Sequence, residues 1–280
     1  MEQVKYRYRT LEDFLISNPL SVDGQLDDGW GAIFPVKGRE IKATILFADI
    51  ASFSRRTLKL SSTETLIFVN NFFAWITAEA LRNRPGIVDK YIGDEIMVIF
   101  SEEFGSKDAF VDAVQTGRWM AEHDVLAFWP HMGVASGVVT VGFVGTPLKY
   151  DCSVFGVPVA LAARCAGVSR PTPRTSVKPQ PLVSSSIVFP AGLWKGRSFK
   201  EIFPPKKYPM PDGTIQEQPH LWELLPPRKV PVKNMPDIEI REVVNRSTYI
   251  PSQSAEKRAK ESLRVLQRSG MYKQANTESR

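Results

Sequence analysis

The sequence predicts an α+β protein built on an antiparallel sheet with helices packed over one face. Three observations carry that prediction. Strand-like apolar segments alternate along the chain with segments of helical spacing. The strand-like pieces come in pairs around glycine-containing turns, as antiparallel neighbours do. And 43% hydrophobic residues in a chain of 280 are ample for a core.

The elements follow in order. TLEDFLIS is a short helix with Thr10 as N-cap and Leu11, Phe14 and Leu15 on one face. DGQLDDGWGAIFP is turn-rich and expected to be irregular. IKATILFAD (41–49) reads as a buried strand that ends at an acid. SSTETLIFVNNFFAWITAEALR is a helix that starts near Ser62 or Thr63, with Leu66, Val69, Phe72, Phe73 and Ile76 turned inward. IVDKYIGDEIMVIF (87–100) is a hairpin whose tip holds Gly93, Asp94 and Glu95. A second helix is expected over 106–128, with Phe110, Ala113, Val114, Gly117 and Ala121 inside. HMGVASGVVTVGFVG (131–145) reads as a glycine-punctuated hairpin, and VPVALAARCAGV (157–168) as a third helix opened by Pro158. The order strand, helix, hairpin, helix, hairpin, helix is a ferredoxin-like plan.

Beyond these elements, 169–181 is a loop rich in Pro, Ser and Thr, LVSSSIV another strand, and LWELL (221–225) the end of the sheet. PPRKVPVKNMP is expected to be a linker and SQSAEKRAKESLRVLQRSG one solvated helix. The chain thus divides into an N-terminal extension (1–40), one domain (41–225), and a linker with a C-terminal tail (226–280).

Composition excludes several classes. No apolar run approaches the roughly 20 residues of a membrane span, and MEQVKYRYRT lacks the apolar stretch of a signal peptide, so a soluble cytoplasmic protein with no membrane partner is expected. Cys152 and Cys165 are too few for a disulfide framework or zinc site, and His123, His131 and His220 lack ligand spacing. The net charge of +6 is spread without aromatic interleaving, which argues against nucleic acid; a triphosphate accounts for local positive charge equally well.

The chemistry lies in two carboxylates. Asp49 stands where the first buried strand meets a loop, and Asp94 at the hairpin tip; with those strands adjacent, both acids converge at one sheet edge. Like charges so placed repel, and a divalent cation resolves the conflict. Oxygen ligands beside a phosphate cradle favour Mg2+ or Mn2+.

FADIASF, KYIGDEIMVIF, HMGVASGVVTVGFVG and FGVPVALAARCAG, in that order, resemble the catalytic domain of the class III nucleotidyl cyclases, the adenylate and guanylate cyclase family, over roughly 41–225. The resemblance implies conversion of a nucleoside triphosphate to a 3′,5′-cyclic nucleotide and pyrophosphate, in a head-to-tail homodimer with composite sites. Asp49 and Asp94 of one subunit would hold two Mg2+ or Mn2+ ions with the Ile50 carbonyl. Backbone N–H groups of Ala51, Ser52, Phe53 and Ser54 would receive the phosphates. The other subunit would bring Lys90 and Ser153 to the base and Arg164 to the charge that builds on phosphorus. An effector protein would then respond to the product.

Where the family places a ribose-orienting asparagine, four residues before the arginine, this chain has Ala160. Lys90 offers only donors and demands an acceptor on the base, on adenine, cytosine or uracil. The family's guanine-selective members carry glutamate there, so GTP fits least. Ala160 and the GWGAIFP-containing leader look like the standalone bacterial cyclases of anti-phage defence that make cyclic CMP or UMP, which favours CTP or UTP over ATP. A diguanylate cyclase fits less well, because Ile92 replaces the first glycine of its GGDEF hairpin. A non-catalytic module that binds nucleotide or a partner need not keep both aspartates.

Overall fold

The computed structural model describes residues 7–27, 29–80, 82, 84–124, 126, 128–146, 149–168, 182–210, 213–218, 221–232, 235–247 and 254–270. In chain order the elements are α1 (Leu11–Ile16), β1 (Val22–Asp27), β2 (Ile33–Asp49), α2 (Phe53–Thr57), α3 (Ser62–Ala80), β3 (Gly86–Ile92), β4 (Glu95–Phe100), α4 (Ala109–Glu122), β5 (His131–Thr146) and β6 (Lys149–Phe155). There follow α5 (Val157–Ala166), β7 (Leu182–Pro190), α6 (Phe199–Ile202), β8 (Lys206–Pro209), β9 (Ile215–Gln218), β10 (Trp222–Leu224), β11 (Arg228–Val232), β12 (Met235–Ser247) and α7 (Ala255–Arg268). One sheet runs β10-β12-β7-β5-β2-β4-β3, with β1 added to β2, β6 to β5 and β11 to β12; β8 and β9 form a separate ribbon. All pairings are antiparallel except that of β5 with β7.

The α+β class holds, but helices cover both faces of the sheet rather than one. Ile41, Ala43, Ile45 and Phe47 of β2 pack with Leu11 and Phe14 of α1 and Ala162 and Ala166 of α5. Leu46, Ala48 and Ile50 face the other way, toward Phe68, Phe72 and Ile76 of α3, Phe110 and Val114 of α4, and Leu263 and Leu266 of α7. The near-continuous apolar run of β2 is what burial on both faces requires. Each fully buried large side chain in these layers contributes about 1.5–3 kcal/mol.

Local chemistry sets the helix starts. Thr10 Oγ1 accepts the Asp13 N–H at 3.0 Å, as expected. Ser61 and Glu64 form a reciprocal capping box, with bonds of 3.2 and 2.8 Å, so the α3 cap falls just before Ser62. Asp108 accepts the N–H groups of Phe110 and Val111 and starts α4 at Ala109, three residues later than the pattern suggests; the helix ends at Glu122, six residues earlier. On α3 the buried stripe is Phe68, Phe72, Ile76 and Ala80, whereas Leu66 is 61% exposed; the inward face is rotated from the expected one.

Residues 131–145 form one strand, not a hairpin, and its hairpin partner is β6. The glycines there are not turns. A Cβ on Gly133 would stand 2.0 Å from the Ala162 carbonyl oxygen, and one on Gly137 2.8 Å from Pro158 Cγ, so they let α5 lie directly on β5.

Three boundary expectations are corrected. Residues 22–38 form the β1–β2 hairpin rather than an irregular segment. The expected linker contains β11 and the start of β12, which pairs with β7 inside the sheet. The tail helix α7 is docked, not solvated: Ala259, Leu263 and Leu266 are buried, and Ser262 Oγ donates to the Leu126 carbonyl at 3.0 Å. The 169–181 loop and His220 lie outside the described residues.

Candidate active site

Asp49 is the last residue of β2, opposite Glu95, the first of β4. Ile92 pairs with Glu95, so Gly93 and Asp94 form a two-residue loop. Gly93 supplies the positive φ of 64° that this tight turn needs at its first position. The turn therefore sets the Asp94 carboxylate beside that of Asp49.

The electrostatics record the convergence. Burial, then the charges of Asp94 and Glu95, push Asp49 up to about 7 against the pull of the His131 N–H. Burial also raises Asp94, opposed by its own N–H and that of Ile50. Burial and Asp94 raise Glu95. None of the groups acting on the pair is cationic. Asp49 Oδ1 is buried with no hydrogen-bond partner. Among the described residues, no three or more His, Cys, Asp or Glu side chains gather as a ready metal set. A divalent cation nonetheless fits this pair: it would occupy the orphaned oxygen and offset the repulsion in one step. The Ile50 carbonyl accepts the Phe53 N–H at 3.2 Å and keeps a second lone pair.

The expected phosphate cradle is partly engaged. The Ala51 N–H donates to Phe128 O and the Phe53 N–H to Ile50 O, both at 3.2 Å, so neither is free to receive phosphate as placed. No backbone bond from Ser52 or Ser54 N–H is found among the described residues. Ser52 adopts φ 57°, a left-handed conformation that costs a non-glycine residue about 1 kcal/mol. The loop is braced from behind by groups the sequence reading missed. Asp124 accepts the N–H groups of Phe128 and Trp129 at 2.9 and 2.6 Å. Arg56 and Arg258 both lie over the Trp129 ring, at 5.7 and 4.8 Å, which ties α2 to α7. Burial pulls Arg56 down to about 10.

Arg164 stands exposed in the last turn of α5 on the same outward face as Ala160 and Val157. It is not among the groups acting on Asp49 or Asp94, so this single chain does not bring it to the acids.

Lys90 and Ser153 do meet, through a residue the sequence reading passed over. Asp89 Oδ2 lies 3.4 Å from Lys90 Nζ and accepts the Ser153 hydroxyl at 3.0 Å. Ser153 is 1% exposed. In the single chain its hydroxyl is engaged with Asp89 from the interior, and no contact with a base tests the expected role. Nothing in DKY marks the Asp89 contact, because neighbouring strand residues ordinarily point apart. Burial pushes both cysteine thiols up to about 12.

This architecture is that of the class III nucleotidyl cyclase catalytic domain. The fold is shared with the adenylyl cyclase CyaB of P. aeruginosa, at 20% identity and a TM-score of 0.53 over 76% of this chain and 99% of that one. The guanylyl cyclase Cya2 matches at 17% identity and 0.54, over 75% and 95%. By sequence the chain is similar to an adenylate cyclase of Anabaena cylindrica, 28% identical over 145 residues, 46% of this chain and 28% of that protein. It is also similar to the terminal-differentiation-specific adenylate cyclase of Dictyostelium discoideum, 29% identical over 130 residues, 43% of this chain and 6% of that protein. The match thus spans little more than a quarter of these relatives at most. No protein-family profile matches the chain.

Proposed function

We propose that the chain is a nucleotidyl cyclase, turning a nucleoside triphosphate into a 3′,5′-cyclic nucleotide and pyrophosphate. The observation that carries this reading is the Asp49–Asp94 pair: two converging, partly buried carboxylates with an orphaned oxygen and no cation of the protein's own. Two Mg2+ or Mn2+ ions held there, with the Ile50 carbonyl, would supply Lewis acidity toward the ribose 3′-hydroxyl and the leaving pyrophosphate.

The chain's own groups do the rest. The N–H groups of Ser52 and Ser54 remain to hold phosphate oxygens, joined by those of Ala51 and Phe53 where binding exchanges their internal bonds. Asp49 and Asp94 fix the reacting end of the nucleotide through what they bind. Arg164 stabilises the negative charge on phosphorus with a guanidinium already in place. Because Arg164 lies away from the acids of its own chain, it acts on a partner's site in a head-to-tail homodimer. Exposed Val138, Phe155 and Val157, at 49, 44 and 65%, give that partner an apolar surface close to α5.

Lys90 presents donors to the base. The substrate is a pyrimidine, CTP or UTP, and the product a messenger read by an effector protein in anti-phage defence; Ala160, in place of the ribose-orienting asparagine, supports that reading. The second reading, ATP to cyclic AMP, is favoured by the adenylate cyclases among the relatives. Incubation with each of ATP, GTP, CTP and UTP plus Mn2+, followed by mass spectrometry, decides between them. A cyclic pyrimidine nucleotide is the expected product; cyclic AMP alone selects the second reading, and no cyclic product from any of the four overturns both.

A further inference from the structure

We infer that Asp89 is a positioning residue for base selection, acting through Lys90 and braced by Ser153. The inference rests on the reading of Lys90 as the base contact and adds two residues behind it.

The carrying observation is a bulge. The β3–β4 register shifts between Val88, opposite Val98, and Lys90, opposite Met97, which leaves Asp89 as the extra residue. In a regular strand, residues 89 and 90 would point to opposite faces. A bulge re-aims side chains at such a point, and here Lys90 Nζ comes within 3.4 Å of Asp89 Oδ2. The Asp89 side chain is 0% exposed and that of Lys90 36%. The carboxylate is thus an interior anchor, and the ammonium is the part that reaches the surface.

Ser153 completes the arrangement from β6, its hydroxyl donating to the same Oδ2 at 3.0 Å. Burial raises the Asp89 carboxyl, and the Lys90 charge and the Ser153 hydroxyl pull against it without fully offsetting it. Lysine has a flexible four-carbon stem, and without a fixed counter-charge its ammonium samples many positions. Asp89 restricts it to one, so that donors meet an acceptor only on a base of the right shape.

The test uses the full chain with Mn2+ and kcat/KM for each of the four nucleoside triphosphates, read as the ratio of best to second-best substrate. Lys90→Ala is the control and should flatten that ratio. Asp89→Asn should reduce it about tenfold, the scale of one charge-assisted hydrogen bond, with KM for the best substrate changing more than kcat. Ser153→Ala should reduce it about threefold in the native background and not at all beside Asp89→Asn, since a brace has nothing left to hold. Should Asp89→Asn fail to fold, Asp89→Glu keeps the charge but displaces it, and should shift the ratio in the same direction.

An unchanged ratio in Lys90→Ala removes the base-contact reading itself. A flattened ratio in Lys90→Ala with a native ratio in the folded Asp89 variant overturns this inference alone. Further loss from Ser153→Ala in the Asp89→Asn background would show that Ser153 meets the base itself and end its role as brace.

Discussion

Two acidic sites involve the β3–β4 hairpin, one at Asp89 and one where its tip meets the end of β2, and they differ in where the opposing charge comes from. At Asp89 the chain supplies part of it: Lys90 and Ser153 converge on Oδ2, while Oδ1 is buried without a partner and burial still holds the carboxyl above its usual range. At Asp49 and Asp94 the described residues supply none, and Glu95 adds to the repulsion. A buried carboxylate with a fixed counter-charge of its own can position that neighbour. An uncompensated pair is a standing cost that a bound cation, or a shared proton, removes.

The comparison breaks first at the uncompensated pair. Asp49→Ala or Asp94→Ala should lower cyclic nucleotide formation by at least about 10³-fold, because several kcal/mol of transition-state stabilisation go with the cations. The fold should not suffer: Asp49→Asn removes an unmatched charge, so the metal-free melting temperature should stay level or rise. A large drop would mean that the pair is structural.

Arg164→Ala should cost on the order of 10²-fold in kcat, the scale of one preorganised charge-stabilising group. Mixed with inactive Asp49→Ala subunits it should restore one working site per heterodimer. Inert heterodimers, shown to have formed, would refute the composite site.

Leu266→Ala sharpens the comparison from behind the acid loop, since α7 packs on α2, which follows that loop. Loss of this fully buried side chain should cost roughly 2–4 kcal/mol in denaturant unfolding; a change under about 0.5 kcal/mol would mean that the tail helix is not part of the core.

The smallest effect concerns a third acidic site, Asp108, compensated by an arginine and a helix end. Burial pushes Asp108 up, but its bonds to Arg197 and to the Val111 and Phe110 N–H groups outweigh that and hold it below the usual range. A depressed folded value means stability present above the unfolded value and lost as pH falls through the folded one. Asp108→Ala should therefore cost about 1 kcal/mol at neutral pH, the scale of a lost cap, and progressively less in acid below the ordinary aspartate value. An equal cost across that acid range would remove the ionic component.

Much of this was legible in the sequence, and the exceptions share physical causes. Asp49 and Asp94 stood out because a buried strand that ends in an acid and a glycine-aspartate turn are local signals. The α+β class followed from element order. The Asp89 contact was hidden because a one-residue bulge leaves no mark on alternation. Docking of α7 was obscured by its charged residues, although Ala259, Leu263 and Leu266 recur at helical spacing and are buried. The glycines of β5 read as turns because their need, close approach of α5 to the strand, arises from a contact distant in sequence. Coverage of both faces depended in the same way on where α1 and α5 return.

The central claim is that Asp49 and Asp94 together hold divalent cations for the reaction. Electron paramagnetic resonance of Mn2+ titrated into the protein with a non-cyclisable triphosphate analogue tests it most directly. The account predicts two bound ions per site in the native chain and loss of that binding in both Asp49→Asn and Asp94→Asn; the same two ions retained in either variant would contradict it.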